Sequence, residues 1–254
     1  MAGATLRRSQ GRKSQPRLSF LWSAESPTKC LVTGASANMI GVRATGRNGP
    51  YIDLSANAST QAFAVPLPQA KYTVIAVFVP FPLVGQAEAL LRTTTDGFRL
   101  DVGTSSGAIN ALRVTNNNVI NGPSLVVSVD AFDTHAWSTV TTYDGSTISS
   151  WLMPLAAAGT NETIASGTVG SAGYIAPTGT FDVGTGATNC GLQLAAFADY
   201  AMPQAQVLEI LRDPMRLLES RRPMPWWFGN VTAPTPANAP LGMFDPDLRV
   251  AAWW

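Results

Sequence analysis

Residues able to do acid–base or nucleophilic chemistry are sparse in this chain, which is 13% charged and carries one histidine and two cysteines in 254 residues. Glycoside hydrolysis needs two carboxylates flanking the scissile bond. Acids alternating on one strand would supply them, because alternate side chains share a face. The five glutamates are Glu25, Glu88, Glu162, Glu209 and Glu219, and none stands two or four residues from another acid on a candidate strand. Asp96 and Asp101 flank a strand instead of sharing its face, and Asp130 and Asp133 fall in a loop. A serine or cysteine nucleophile would need His135 as its base, and no G-x-S-x-G elbow accompanies it. The glycine-rich runs 167–173 and 184–186 lack the Lys-Ser/Thr of a phosphate loop and read as turns. One histidine and two distant cysteines cannot build a zinc site. The expectation is therefore a protein without catalytic, cofactor-binding or metal-binding residues: not an enzyme, and with no cofactor.

The residues with chemistry left to offer are suited to binding. Residues 1–17 carry Arg7, Arg8, Arg12, Lys13 and Arg17 and no acid, leaving twelve bases against sixteen acids in the rest of the chain. The net charge of +1 therefore conceals a basic arm on an acidic body. Such a Ser/Gln-rich arm has too little to bury to fold alone, so it is either solvated or docked. At the other end, residues 222–254 hold six prolines and four of the seven tryptophans, Trp226, Trp227, Trp253 and Trp254. Proline keeps a chain extended and removes ladder donors, so this segment reads as a strap. Each indole can bury about 150–250 Å², a gross gain of roughly 4–6 kcal/mol at about 25 cal/mol per Å². Either these rings pack on their own domain or they dock on a neighbouring subunit; docking is the reading adopted, for the basic arm as well. A sugar would instead need an exposed aromatic beside amides, for which the candidates are Asn116, Asn117 and Asn118 in one loop and Tyr174 in another. Asn-rich turns are more often only turns.

The elements that must hold these residues read as short strands. In AWSTVTTYDGSTISSWLM, residues Trp137, Thr139, Thr141 and Tyr143 share one face and Ser138, Val140 and Thr142 the other, with Asp144-Gly145 as the hairpin turn. Further candidate strands cover 51–54, 72–79, 88–93, 97–102, 111–114, 124–129, 147–153, 180–183 and 192–198. One helix is expected near the end. Pro203 suits its first turn, Val207, Leu208 and Leu211 form its apolar stripe, and Pro214 stops it before Leu217 and Leu218. These patterns make an all-β antiparallel sandwich with one short C-terminal helix and extended arms.

The order WSTVTTYDGSTISSWLM, FDVG, LQLAAFADYAMPQAQVLEILRDPMRLL resembles the laminin-G-like, concanavalin A-like lectin/glucanase jelly roll in the form found in bacteriophage virion proteins. GPYIDLSAN and KYTVIAVFVP look like the first strands of the same domain, so the resemblance covers roughly residues 45 to 220. Met215 stands where that family usually has an aromatic after the proline, and Ala201-Met202-Pro203 departs from its usual residues before the helix. The resemblance implies a phage virion structural protein, a head decoration or cement protein or a tail- or fibre-associated one. Its partners would then be major capsid or tail proteins and further copies of itself. The alternative it admits is an adhesin that holds a host surface glycan in rim loops. Relatives often bind calcium at the rim, but Asp130, Asp133 and Asp144 form no Asp-rich loop and read as solvated acids.

The organisation expected is a basic arm and lead-in at 1–44, the sandwich at 45–221 and the strap at 222–254. Cys30 and Cys190, far apart and with no secretory signal, are expected as reduced thiols in a protein made in the cytoplasm and built into a virion. Arg7-Arg8 is followed by no apolar stretch long enough for export, and no membrane span is visible. Five bases without interleaved aromatics make a thin arm for holding nucleic acid, so that partner is not expected.

Overall fold

The computed structural model describes residues 16–38, 41–55, 61–67, 70–81, 88–93, 99–105, 108–115, 125–128, 136–155, 165–170, 178–184 and 190–219. The chain divides into two compact units, Met1–Leu217 and Leu218–Trp254. The fourteen strands found among the described residues lie in the first.

Two antiparallel sheets form the body. The larger contains β1 (Phe20–Ser23), β2 (Val42–Gly46), β3 (Gly49–Asp53), β5 (Tyr72–Pro80), β10 (Trp137–Tyr143), β11 (Thr147–Pro154), β12 (Ala165–Gly170) and β14 (Cys190–Ala198). Its order is β12-β11-β10-β5-β14-β3-β2, with β1 also pairing β14. The smaller sheet runs β4 (Gln61–Phe63), β13 (Phe181–Val183), β6 (Glu88–Thr93), β7 (Arg99–Ser105), β8 (Ala108–Thr115) and β9 (Leu125–Ser128). Aromatics join the two layers: Phe20 of the larger sheet lies 4.7 Å from Phe181 and 5.3 Å from Phe63 of the smaller, between ring centroids. The expected all-β sandwich is the fold.

The hairpin shows how closely local chemistry sets the register. Tyr143 pairs with Ile148 and the Asp144 amide donates to the Thr147 carbonyl, so the two central turn residues are Gly145 and Ser146. The turn is thus one residue later than Asp144-Gly145. Gly145 takes φ +105°, the left-handed region required at this place, and only glycine adopts it freely. Asp144 supports the turn from outside: its Oδ1 accepts from the Ser146 and Thr147 amides, both at 2.8 Å.

All seven residues of β10 are buried. Trp137 and Tyr143 belong to the core between the sheets. The opposite face is covered because α1 (Gln204–Arg212) packs on β10 and β11, burying Val207, Ile210 and Leu211. Thr73 in β5 fixes the approach to this helix. Its hydroxyl donates to the Tyr200 carbonyl at 2.8 Å and accepts the Met202 amide at 2.9 Å. Pro203 sits immediately before the helix, and Pro214 follows its end at Asp213 and precedes α2 (Arg216–Glu219), as the two prolines predict.

Four strands escape the sequence reading, and one of them moves a boundary. Residues 20–23, assigned above to the lead-in, are a fully buried strand paired with β14 from Phe20↔Phe197 to Ser23↔Leu194. The sandwich therefore begins well before residue 45. Four consecutive buried residues, FLWS, carry no alternation to announce a strand. The other three are the largely exposed β2, the three-residue β4 and the glycine-bearing β12.

Candidate functional site

Most residues singled out for binding lie outside the described residues: Arg7, Arg8, Arg12, Lys13, Trp226, Trp227, Trp253 and Trp254 near the ends of the sequence, and Asn116, Asn117, Asn118 and Tyr174 between them. Arg17 is described and exposed. The lead-in joins the sandwich beside α1, where Pro16 lines a shallow groove together with Gln206, Glu209, Ile210, Asp213, Arg216 and Leu217. The last residues of the basic arm and the first turn of α2 thus meet on one patch. Arg216 contributes an ion pair to it, 3.7 Å from Glu209.

A second cleft, of about 220 Å³, lies between Asn48, Met153–Leu155 and Arg212–Met215. Asn48 closes its floor. Its Oδ1 accepts the Ala136 amide and its Nδ2 donates to the Leu155 carbonyl, each at 2.9 Å. Both ends of the amide are engaged in tying the β2–β3 turn to β10 and β11, so Asn48 builds the cleft and has little left for a ligand.

A third locus was not expected from the sequence. Ile52 belongs to the core between the sheets, so its neighbour Tyr51 points to the outer face of the larger sheet. Tyr51 lies down there because its surroundings lack side chains. A Cβ on Gly191 would stand 2.2 Å from Tyr51 Cδ2, and one on Gly46 would stand 3.2 Å from Cε1. Phe81 is the next ring, at 5.9 Å and 60°. Both rings are half-buried. Close by, β14 carries a bulge between Leu192 and Leu194, and the extra residue, Gln193, donates from Nε2 to the Gly49 carbonyl at 3.2 Å. That carbonyl oxygen is 3.8 Å from the same Gly46 Cβ position. Gln193 is 2% exposed, and among the described residues its Oε1 has no hydrogen-bond partner. Only spatial proximity joins residues so distant in sequence, so no local pattern announces this cluster.

Other polar groups are committed to structure. Asp182 in β13 accepts the Thr180 hydroxyl at 2.7 Å and lies 3.6 Å from Arg92 Nε. Both cysteines are free thiols. Burial pushes the Cys190 thiol far above its usual range, with Asp53 adding to the rise. Burial also raises Cys30, but hydrogen bonds from the Thr33 hydroxyl and from the Leu21, Thr33 and Val32 backbone outweigh it and leave that thiol below its usual value. Among the described residues there is no group of three His, Cys, Asp or Glu side chains placed to hold a metal. No helix among them is long and apolar enough to cross a membrane.

The sequence matches no protein-family model, and no curated protein matches it. Solved structures do match in fold. Trypanosoma rangeli sialidase in complex with the inhibitor DANA aligns with a TM-score of 0.50 at 12% identity, covering 79% of this chain and 33% of that one. Domain 4 of AbnA, a GH43 extracellular arabinanase from Geobacillus stearothermophilus in complex with arabinotriose, aligns with a TM-score of 0.50 at 9% identity, covering 78% and 100%. The Ca2+/Man-bound exoplasmic/lumenal domain of VIP36 aligns with a TM-score of 0.44 at 11% identity. The chain spans about a third of the length of the sialidase chains it matches. The likeness at these identities is one of fold alone, a two-sheet antiparallel β-sandwich.

Proposed function

We propose that this chain is a non-enzymatic structural component of a bacteriophage virion, a head decoration or tail- or fibre-associated protein that docks on neighbouring subunits through its terminal arms. The resemblance of the hairpin and the β14–α1–α2 ending to phage jelly rolls supplies the setting. The observation that carries the docking is the shared patch. Pro16, where the basic arm enters, and Arg216 and Leu217, where the chain turns toward its Pro/Trp-rich segment, line one groove. Two segments that leave from one patch can grip a single neighbour together, which raises the effective concentration of the second contact once the first has formed. The arm's five bases fit an acidic surface on a capsid or tail protein, or the acidic body of a second copy. Removing 1–17 or 222–254 should leave a cooperative melt but prevent incorporation into particles. Normal incorporation of both truncated chains would overturn the proposal.

A second reading, glycan binding by the same sandwich, is favoured by one observation: a half-buried tyrosine ring, Tyr51, packed over Gly191 on the larger sheet. The arabinanase domain of the same fold, in complex with arabinotriose, lends it support. A virion protein that holds host glycans would satisfy both readings. Screening the full chain on a glycan array tests the second one, and a blank array removes it.

A further inference from the structure

We propose that the free edge of β2 docks a second copy of this chain, the two β2 strands pairing antiparallel about a two-fold axis at Ala44. This surface is independent of both readings above and uses neither terminal arm. β2 ends the larger sheet and pairs with β3 alone. The Leu54 amide donates to the Cys190 carbonyl at 3.1 Å, so Leu54 and Ile52 turn their backbone groups toward β14, and Tyr51 and Asp53 turn theirs toward β2. Their partners Ala44 and Val42 answer them. Arg43 and Thr45 therefore aim their N–H and C=O groups outward, and among the described residues no hydrogen bond meets them.

Such an edge is a template for another strand, and the sequence of β2 says which. Outward groups can meet only outward groups on the incoming strand, so a two-fold axis must pass through a residue. An axis at Arg43 sets that arginine opposite itself, and one at Thr45 sets it opposite the second copy's Arg47; like charges directly opposite are unfavourable. An axis at Ala44 sets Arg43 opposite Thr45 on both strands, so every outward group gains a partner. It also brings two alanines, which are small enough, to the close spacing of about 4.5 Å between Cα atoms. The outer face agrees. Val42 is 65% exposed and shares that face with Ala44 and Tyr51. In this register it lies opposite the second copy's Gly46. That position has no side chain of its own, and a Cβ there would stand 3.2 Å from Tyr51 Cε1, so what Val42 meets is the half-buried Tyr51 ring. The contact forms twice, once on each side of the axis. Gly41, at φ +72° and tight against the Asp53 carbonyl, turns the chain away before Val42. Pairing is thus confined to the five residues of β2, about 17 Å of strand, a small interface that suits a dimer of about micromolar affinity or weaker.

Cross-linking of the full chain tests the register. Across the axis the two Ala44 residues are within disulfide reach, whereas each Val42 is four residues, about 14 Å, from its mate. Under mild oxidation Ala44→Cys should form a covalent dimer and Val42→Cys should not, although Val42 is the more exposed. Cys30 and Cys190 are buried, so they do not compete. Sedimentation velocity of the wild type should show a dimer that grows with concentration. Val42→Lys and Thr45→Pro should each raise its dissociation constant by about tenfold or more. Thr45→Pro removes only an outward N–H, which leaves the ladder to β3 intact, and thermal melts check that each variant is folded. Should Thr45→Pro unfold, Val42→Lys and the two cysteine variants still decide. A wild type that stays monomeric up to about millimolar concentration would overturn the proposal. So would a dimer that survives the folded edge variants, or Val42→Cys cross-linking as readily as Ala44→Cys, since the copies would then meet through another face.

Discussion

Adding one methyl group at residue 191 tests the packing on the outer face of the larger sheet. In Gly191→Ala the new Cβ would meet Tyr51 at 2.2 Å from Cδ2, 2.8 Å from Cε2 and 2.9 Å from Cγ. Carbon atoms rest about 3.5–4.0 Å apart, so the ring must lift by more than an ångström, and because Cγ is among the contacts, a χ2 flip cannot clear it. Such overpacking costs about 1–3 kcal/mol. The alanine also restricts the unfolded chain, which offsets about 0.4–1 kcal/mol. The net expectation is a loss of about 1–2 kcal/mol in Gly191→Ala. In a Tyr51→Ala background the clash is gone and only the offset survives, so the same substitution becomes neutral or mildly stabilising. Urea unfolding of the two single variants and the double variant measures this directly, with an unchanged m-value confirming that the denatured state is comparable. A coupling of at least about 1 kcal/mol is expected, whereas additivity within about 0.3–0.5 kcal/mol would refute the contact.

Three further outcomes follow from the structure. Asn48→Ala leaves the Ala136 amide and the Leu155 carbonyl without their 2.9 Å partners, and should cost about 2 kcal/mol in urea unfolding; a loss under about 0.5 kcal/mol would mean water replaces both bonds. Trp137→Ala removes a ring that is 4% exposed and part of the core, for an expected loss of about 3–5 kcal/mol; a near-neutral melt would place the ring outside the core. Asp144 is held below the usual carboxylate range by the Ser146 and Thr147 amides and the Ser146 hydroxyl. A lowered folded pKa means its contribution is present above the unfolded value of about 3.9 and lost as pH falls through the folded one. The stability gap between wild type and Asp144→Ala should therefore shrink between pH 7 and pH 2.5, and a constant gap would contradict the bonding described.

Where the sequence repeats a local rule, the structure follows it. β5 and the β10–β11 hairpin were legible because β-branched and aromatic residues predominate between turn residues, and α1 because two prolines bracket an apolar stripe. The turn was displaced by one residue because Asp144 is better used as a side-chain acceptor for the amides that follow it than as a central turn residue. β1 was illegible for a different reason. A strand covered on both faces loses its alternation, and this one follows directly on a basic arm that has too little to bury to fold alone. The Tyr51 cluster was out of reach altogether, since Gly191 alone looks like any glycine in a strand. Its meaning comes from the ring that lies on it from another strand.

Electron cryo-microscopy of phage particles assembled with this chain decides whether it docks through its terminal arms. The account predicts density for the jelly roll at regular sites on the head or tail, with the α1–α2 patch facing a neighbouring subunit and the basic arm and Trp-bearing segment entering the crevices between them. Particles without that density, or jelly rolls held by another face with both arms folded back on their own sandwich, would contradict it.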